Sequence, residues 1–215
     1  MTSIWPSLLA ADLLNLESQI NALKAQGIST LHLDIMDNHY VPNLSFSPDL
    51  CQQIHQRFPE LSIDVHLMTK PVDSLIPAFA KAGASRIAIH ADTTIHLNQA
   101  LATIKQLNCK AGLVLNPAED ISSLAWCHHQ LDYILVMTVN PGFGGQKLIP
   151  QVLDKIRALQ HNYPHIPIMV DGGVDLNNIK SLKDAGASQF VVGSALFRAP
   201  NFPVCIPQFL QVVSS

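Results

Sequence analysis

With 215 residues the chain can bury one sizeable core, and single-domain α/β folds commonly run near this size, so one domain over residues 1–215 is the expectation. Only 13% of the residues are charged, about half the ~25% of an ordinary soluble domain, so much of the chain should be covered by other elements or by a second copy in a homo-oligomer. A net charge of −3 with 13 thinly spread basic residues offers no stripe for a phosphodiester backbone and no polybasic anchor for lipid, which argues against nucleic acid and membrane as partners.

The N-terminal stretch carries no Lys or Arg before Lys24 and is broken by Pro6 and Asp12. It reads as neither a signal peptide nor a membrane span, so a cytoplasmic protein is expected. Its first apolar run, near 3–8, is a strand. A helical pattern over 13–26 ends at Gly27, where "AQGISTLHLD" (25–34) passes directly into a strand near 30–35. A weaker helical stretch at 49–57 leads to a strand near 61–67. A helix over 71–82 then meets a second joint of the same kind, "KAGASRIAIH" (81–90), with a strand near 86–90. Helix 95–107, strand 110–115, a weaker helical stretch at 120–127 and strand 132–138 continue the alternation. Helix 147–161, strand 167–171, helix 175–185 and a third joint, "DAGASQFVVG" (184–193), with a strand near 189–193 complete it. In the three joints Gly27, Gly83 and Gly186 suit the left-handed position after a helix.

Eight strands alternating with helices, without G-x-G-x-x-G after the first, favour closure over an open doubly wound sheet: an α/β fold, a single (β/α)₈ TIM barrel. Cys51, Cys109, Cys127 and Cys205 lie far apart without a C-x-x-C pair and are expected to be reduced, packed thiols.

Strand alternation in "TLHLDIMD" (30–37) puts His32 and Asp34 on one face and Leu31, Leu33 and Ile35 on the other. In "LSIDVHLM" (61–68) Asp64 and His66 share a face, and the seventh strand ends in Asp171, so imidazoles and carboxylates should converge at the barrel mouth. Either histidine alone would read as a hydrogen-bonded core residue. Together with the carboxylates they are too costly to bury uncompensated, and His32, Asp34, His66 and Asp171 suit one divalent metal ion. The mixed nitrogen and oxygen donors fit Zn, Fe(II), Mn or Co, with Mg as a further option. Asp64 is expected deeper, orienting a ligand from behind or accepting backbone hydrogen bonds. The other eight histidines, His90 among them, are assigned to loops, helix faces or packing.

"DGG" (171–173) and "GSALF" (193–197) follow the last two strands, where barrels commonly build a phosphate cradle. Amides of Gly173, Gly193 and Ser194 would meet a dianion there, making the barrel one of the phosphate-binding type. "VNPGFGGQ" (139–146) has the composition of a loop that folds over a ligand.

"PSLLAAD" (6–12), "LHLDIMDNHYVPN" (31–43), "VHLM" (65–68), "GLVLNP" (112–117), "VMTVNPGFGGQ" (136–146), "VDGGV" (170–174) and "VGSALF" (192–197) resemble, in order and spacing, the ribulose-phosphate 3-epimerase family. The resemblance spans nearly the whole chain. It implies that His32, Asp34, His66 and Asp171 are metal ligands, with Asp34 and Asp171 also the catalytic acid/base pair. It further implies substrate contacts from Ser7, His66 and Asp171, and from the loops Gly142, Phe143, Gly144 and Gly145, Gly172 with Gly173, and Gly193 with Ser194. Met36, Met68 and Met137 match methionines lining the site. Three positions depart from the family pattern: Asn38 for the usual Gly, Ala10 for Ser, and Asp92 for a frequent Glu. Asn tolerates a left-handed backbone best of the non-glycine residues, so Asn38 should keep the loop shape.

The implied substrate is a small ketose phosphate, with D-ribulose 5-phosphate and D-xylulose 5-phosphate interconverted by proton transfer at C3. A hexulose-phosphate epimerase is the near alternative. A barrel lyase is more remote, because "DIMD" (34–37) lacks the lysine of D-x-K-x-x-D and no lysine falls at an expected strand end. A silent sugar-phosphate-binding barrel is the third, since a fold alone does not prove turnover.

Overall fold

The computed structural model describes residues 3–214. Among these, eight strands form one parallel sheet: β1 (Ser3–Pro6), β2 (Thr30–Met36), β3 (Ser62–Met68), β4 (Arg86–His90), β5 (Lys110–Leu115), β6 (Tyr133–Met137), β7 (Ile168–Asp171) and β8 (Gln189–Val192). Their order is β1-β8-β7-β6-β5-β4-β3-β2, and a parallel bridge between Ser7 and His32 brings β1 back to β2. The sheet is therefore a closed (β/α)₈ barrel, as expected.

Helices α1 (Leu16–Ala25), α2 (Pro48–Arg57), α3 (Leu75–Lys81), α4 (Leu97–Gln106), α5 (Val152–Asn162), α6 (Ile179–Ala185), α7 (Ser194–Phe197) and α8 (Ile206–Ser214) occupy connections between strands and the C-terminal segment. Each longer helix buries one stripe, such as Val152, Ile156 and Leu159 on α5, at the spacing that a 3.6-residue turn requires. Outward-facing strand residues, Leu31, Leu33, Ile63, Val65, Ile87 and Ile89 among them, join these stripes in the main core. Fully burying such a side chain contributes about 1.5–3 kcal/mol relative to leaving it exposed.

Inside the barrel Trp5, Ala88, Val114, Tyr133, Leu135, Met169 and Val191 form a second cluster. Gly112 makes this filling possible, because a Cβ there would lie 2.4 Å from the Tyr133 ring. Apolar and aromatic side chains thus plug the barrel interior, and the register His32↔Asp64, Asp34↔His66 and Met36↔Met68 stacks the polar pairs of β2 and β3 in layers.

The three α-to-β joints behave as expected, with φ of 81° at Gly27, 101° at Gly83 and 120° at Gly186. Three expectations need correction. The first strand stops at Pro6 rather than near residue 8, because the Ser7 side chain accepts the Leu9 amide and caps a 3-10 turn over Leu8–Ala10. The stretch at 120–127 is 3-10 rather than α-helical, begun by Asp120 accepting from Ser122, with only Leu124 buried to anchor it. Helix α8 lies outside the expected elements; Ile206, Phe209 and Val213 give it one buried stripe. Among the described residues no helix is long and apolar enough to cross a membrane.

Candidate functional site

Four polar side chains from three strands meet at one end of the barrel. His32 Nε2 lies 3.4 Å from Asp34 Oδ1 and 3.7 Å from Asp171 Oδ2, and His66 Nδ1 lies 3.4 and 3.5 Å from the same two oxygens. All four residues are buried, and neither of these two imidazole nitrogens has a hydrogen-bond partner. Separations of 3.4–3.7 Å are too long for good hydrogen bonds. They are close to the ~3.3–3.6 Å edges of a tetrahedron whose donors sit ~2.0–2.2 Å from a central ion. Two orphaned buried nitrogens and two carboxylates aimed at one point therefore fit a divalent cation.

The electrostatics agree. Burial opposes charge on His32, yet the carboxylates of Asp34, Asp171 and Asp64 outweigh it and hold its pKa well above the ordinary histidine value. His66 is raised in the same way, burial again being overcome by Asp171 and Asp34. Burial pushes Asp34 up, but His32 and His66 pull it far below the usual carboxylate range. The pocket attracts positive charge.

Three of the four, His32, Asp34 and His66, have a partner behind them. Asp64 Oδ2 is 2.7 Å from His32 Nδ1, which leaves Nε2 to face the centre. Asp64 in turn accepts from Arg86 at 3.1 Å and from the Tyr133 hydroxyl at 2.9 Å. The Arg86 guanidinium is stacked between Trp5 and Tyr133, 4.1 and 3.8 Å from the ring centres. Ser7 Oγ donates to Asp34 Oδ2 at 2.6 Å, fixing the carboxylate so that Oδ1 points inward. Behind His66 stands His90, the two Nε2 atoms 2.9 Å apart. Burial first, and His66 second, hold the His90 pKa well below the ordinary value, so its ring is uncharged.

Above this centre opens a cavity of about 790 Å³, lined by Ser7, Asp34, Asp171, Met36, Met68 and Met137 below. Gly142 to Gly145, Gly172, Gly173, Gly193 and Ser194 line its other side. Gly173 has φ 64°, and a Cβ there would come within 2.7 Å of the Leu148 amide and 2.8 Å of the Gln146 carbonyl. The two glycine loops therefore pack backbone against backbone, with Thr138 Oγ1 donating to the Asp171 and Gly172 carbonyls. Asn43 donates to the Gly142 carbonyl at 2.7 Å, and Gln146 ties the loop to itself through Asn140 and Phe143. Phe143 is 55% exposed at the rim, so its ring is free to meet a ligand. Ser194 Oγ is buried without a partner beside Gly144, as a ligand-facing hydroxyl would be. Asn38 has φ 58°, which keeps the left-handed turn expected of it.

A sequence profile of the ribulose-phosphate 3 epimerase family matches residues 3–197. The chain belongs to this family. Ribulose-phosphate 3-epimerase from Escherichia coli strain K12 is 46% identical over 95% of this chain and 93% of its own length. Ribulose-phosphate 3-epimerase 1 of Cupriavidus necator is also 46% identical, over 91% of this chain and 84% of its own. Among solved structures, 3-hexulose-6-phosphate synthase from Salmonella typhimurium superposes with a TM-score of 0.76 at 14% identity, covering 100% and 99% of the two chains. A mutant tryptophan synthase α-subunit from the hyperthermophile Pyrococcus furiosus gives 0.72 at 14% identity, covering 99% and 95%. Likenesses at that identity show the barrel fold alone.

All the site residues expected from the family pattern fall on the centre or on the cavity above it. Four neighbours lie outside that expectation. Arg86 on β4 is paired with Asp64 by the cross-strand register, and Tyr133 on β6 reaches Asp64 through the barrel interior. His90, assigned to packing, ends β4 as Asp171 ends β7, and that shared place at a strand C-terminus is the signal in the sequence that marks it. Arg198, just past α7, lines the cavity with its Nη1 near Gly145 and brings a positive charge beside the glycine loops.

Proposed function

We propose that the chain is a metal-dependent ribulose-phosphate 3-epimerase, an isomerase that interconverts D-ribulose 5-phosphate and D-xylulose 5-phosphate. The observation that carries this reading is the convergence of His32 Nε2, His66 Nδ1, Asp34 and Asp171 beneath a cavity walled by glycine loops. His32, His66, Asp34 and Asp171 would hold one divalent ion, with zinc, Fe(II), manganese or cobalt favoured by the donor set and magnesium the less suited option. The ion, when bound, supplies Lewis-acid stabilisation of the negative charge that develops on the ketose oxygens.

The protein's own residues do the rest. Each aspartate commits one oxygen to the centre, and each belongs to a different wall of the barrel, Asp34 on β2 and Asp171 on β7. One carboxylate removes the C3 proton from its side, and the other delivers a proton to the opposite face; the roles exchange in the reverse direction. Ser7 keeps Asp34 aimed while this happens. The methionines at 36, 68 and 137 give the reacting carbon an apolar floor that admits few waters. Gly173, Gly193 and Ser194 receive the phosphate, and the 139–146 loop covers the substrate. The setting is carbohydrate metabolism through the pentose phosphate route, in the cytoplasm, with a homo-oligomer as the working form.

The test offers metal-loaded protein D-ribulose 5-phosphate and, separately, a ketohexose 6-phosphate, and follows each by NMR. Rapid appearance of the pentulose C3 epimer is expected. Faster inversion of the six-carbon compound would reassign the substrate, and carbon–carbon cleavage products would replace epimerisation with lyase chemistry.

A further inference from the structure

His66 and His90 are fully buried neighbours on β3 and β4, their rings meeting edge to edge with centroids 5.1 Å apart, 28° between planes and Nε2 atoms 2.9 Å apart. Two neutral imidazoles can share such a contact only if one nitrogen carries the proton and the other accepts it. His66 faces Asp34 and Asp171 through Nδ1. On the metal reading above, which everything below presupposes, this nitrogen must offer its lone pair and the His66 proton must sit on Nε2. His90 Nε2 then accepts, and the His90 proton is forced to Nδ1, an atom buried without a partner.

Close to His90 stands a second acidic group. One ring nitrogen of His90 and one carboxylate oxygen each from Asp92 and Glu119 lie within 4.8 Å of one another. The carboxylates are held in place: the Tyr40 hydroxyl donates to Asp92 at 3.1 Å, and Asn116 donates to Tyr40 and to Glu119, both at 2.9 Å. By composition this is a possible second cation site. The proton count argues otherwise: with His90 Nε2 turned to His66, Nδ1 is the nitrogen left for a cation, and a cation there would drive the His90 proton onto Nε2 and set two N–H donors against each other across 2.9 Å.

We propose that His90 is a positioning residue which locks His66 in the Nε2–H tautomer that ligates metal through Nδ1, and that Asp92 and Glu119 hold the His90 proton at Nδ1 by their charge instead of binding a second cation. The two ligand histidines are thereby tuned differently. His32 leans on a carboxylate, Asp64, and gains basicity; His66 leans on a neutral ring and gains only orientation.

The test is long-range ¹H–¹⁵N NMR of the histidine rings in the full chain loaded with zinc, alongside metal titration of variants. The expected spectrum has a zinc-shifted Nδ1 and a protonated Nε2 on His66, and a protonated Nδ1 on His90. His90→Asn, whose amide oxygen can still accept from His66, should keep zinc affinity within about threefold, whereas His90→Leu should lose roughly 10–100-fold. A His90 proton found on Nε2 would overturn the proposal, as would a His90→Leu variant binding zinc like the wild type. So would a second equivalent of zinc that disappears in Asp92→Asn or Glu119→Gln. Should His90→Leu fail to fold, the spectrum of the unmutated protein decides. No zinc-dependent change at His66, with no zinc retained, would instead refute the metal reading beneath it.

Discussion

Asp34 and Asp171 are the same side chain in two settings: both lie beside His32 and His66, but one is braced by the Ser7 hydroxyl and the other ends its strand at the cavity floor. On the proposed mechanism, removing the charge from either would take away both a metal ligand and a proton carrier. Asp34→Asn and Asp171→Asn should each lower kcat by at least ~10²–10⁴-fold, the usual worth of a positioned acid or base, while circular dichroism stays unchanged. A variant of either kind with near wild-type turnover would reject its assignment. Arg198 belongs to a different step, since it stands beside the glycine loops and not the reacting carbon. Arg198→Ala should raise KM for the phosphorylated substrate, and the inhibition constant for inorganic phosphate, by about 3–10-fold with kcat nearly intact, the loss of one surface-exposed charge contact. Cys51 tests the packing of the interior: it is fully buried, and burial pushes its thiol up to about 12. Because burial disfavours the thiolate, the group stays protonated under mildly alkaline conditions, so iodoacetamide should spare Cys51 in the folded protein and label it in urea. At this scale the sequence was most legible where alternation along one strand speaks for itself, as for His32 with Asp34. Arg86 was opaque because its partner Asp64 lies on the neighbouring strand, where register decides which residues face each other, and His90 showed its place at a strand end but not its partner His66.

Among elements, the pairing of the 139–146 loop with the turn after β7 is the construction that makes the mouth. Gly173 is where they touch, and its left-handed backbone and the adjacent Leu148 amide both exclude a side chain. Gly173→Ala should destabilise the protein by about 1–3 kcal/mol in urea denaturation and raise KM; a variant as stable as wild type would mean that the loops can part without cost. The alternation of elements could be read because three joints repeat one pattern, a stripe of apolar residues, a glycine stop and an apolar or β-branched run, and the other units fall between them. The misreadings share a cause. Around 121–126 local side-chain capping competes with helix formation, and at Ser7 a cap cuts the strand short. Helix α8 lies beyond the last of the repeated βα units, so the alternation that exposed the others did not reach it.

For the whole molecule, the barrel is held by two apolar clusters on either side of the strands, and the four residues able to hold an ion occupy only one end of its interior. Chelation should therefore abolish turnover without unfolding the chain. Restoring zinc to about 100 times its Kd should add about 2.7 kcal/mol and raise Tm by roughly 5–10 °C for a chain of this length. An unchanged Tm would mean that no ion binds the folded form. The central claim is that two carboxylates on separate walls work on one carbon, and turnover of D-ribulose 5-phosphate in deuterium oxide tests it most directly. The D-xylulose 5-phosphate formed at the earliest times should carry deuterium at C3, while unreacted substrate still holds hydrogen there, since the delivering carboxylate draws its proton from solvent. Product that inverts at C3 but retains the original hydrogen would contradict the two-aspartate mechanism.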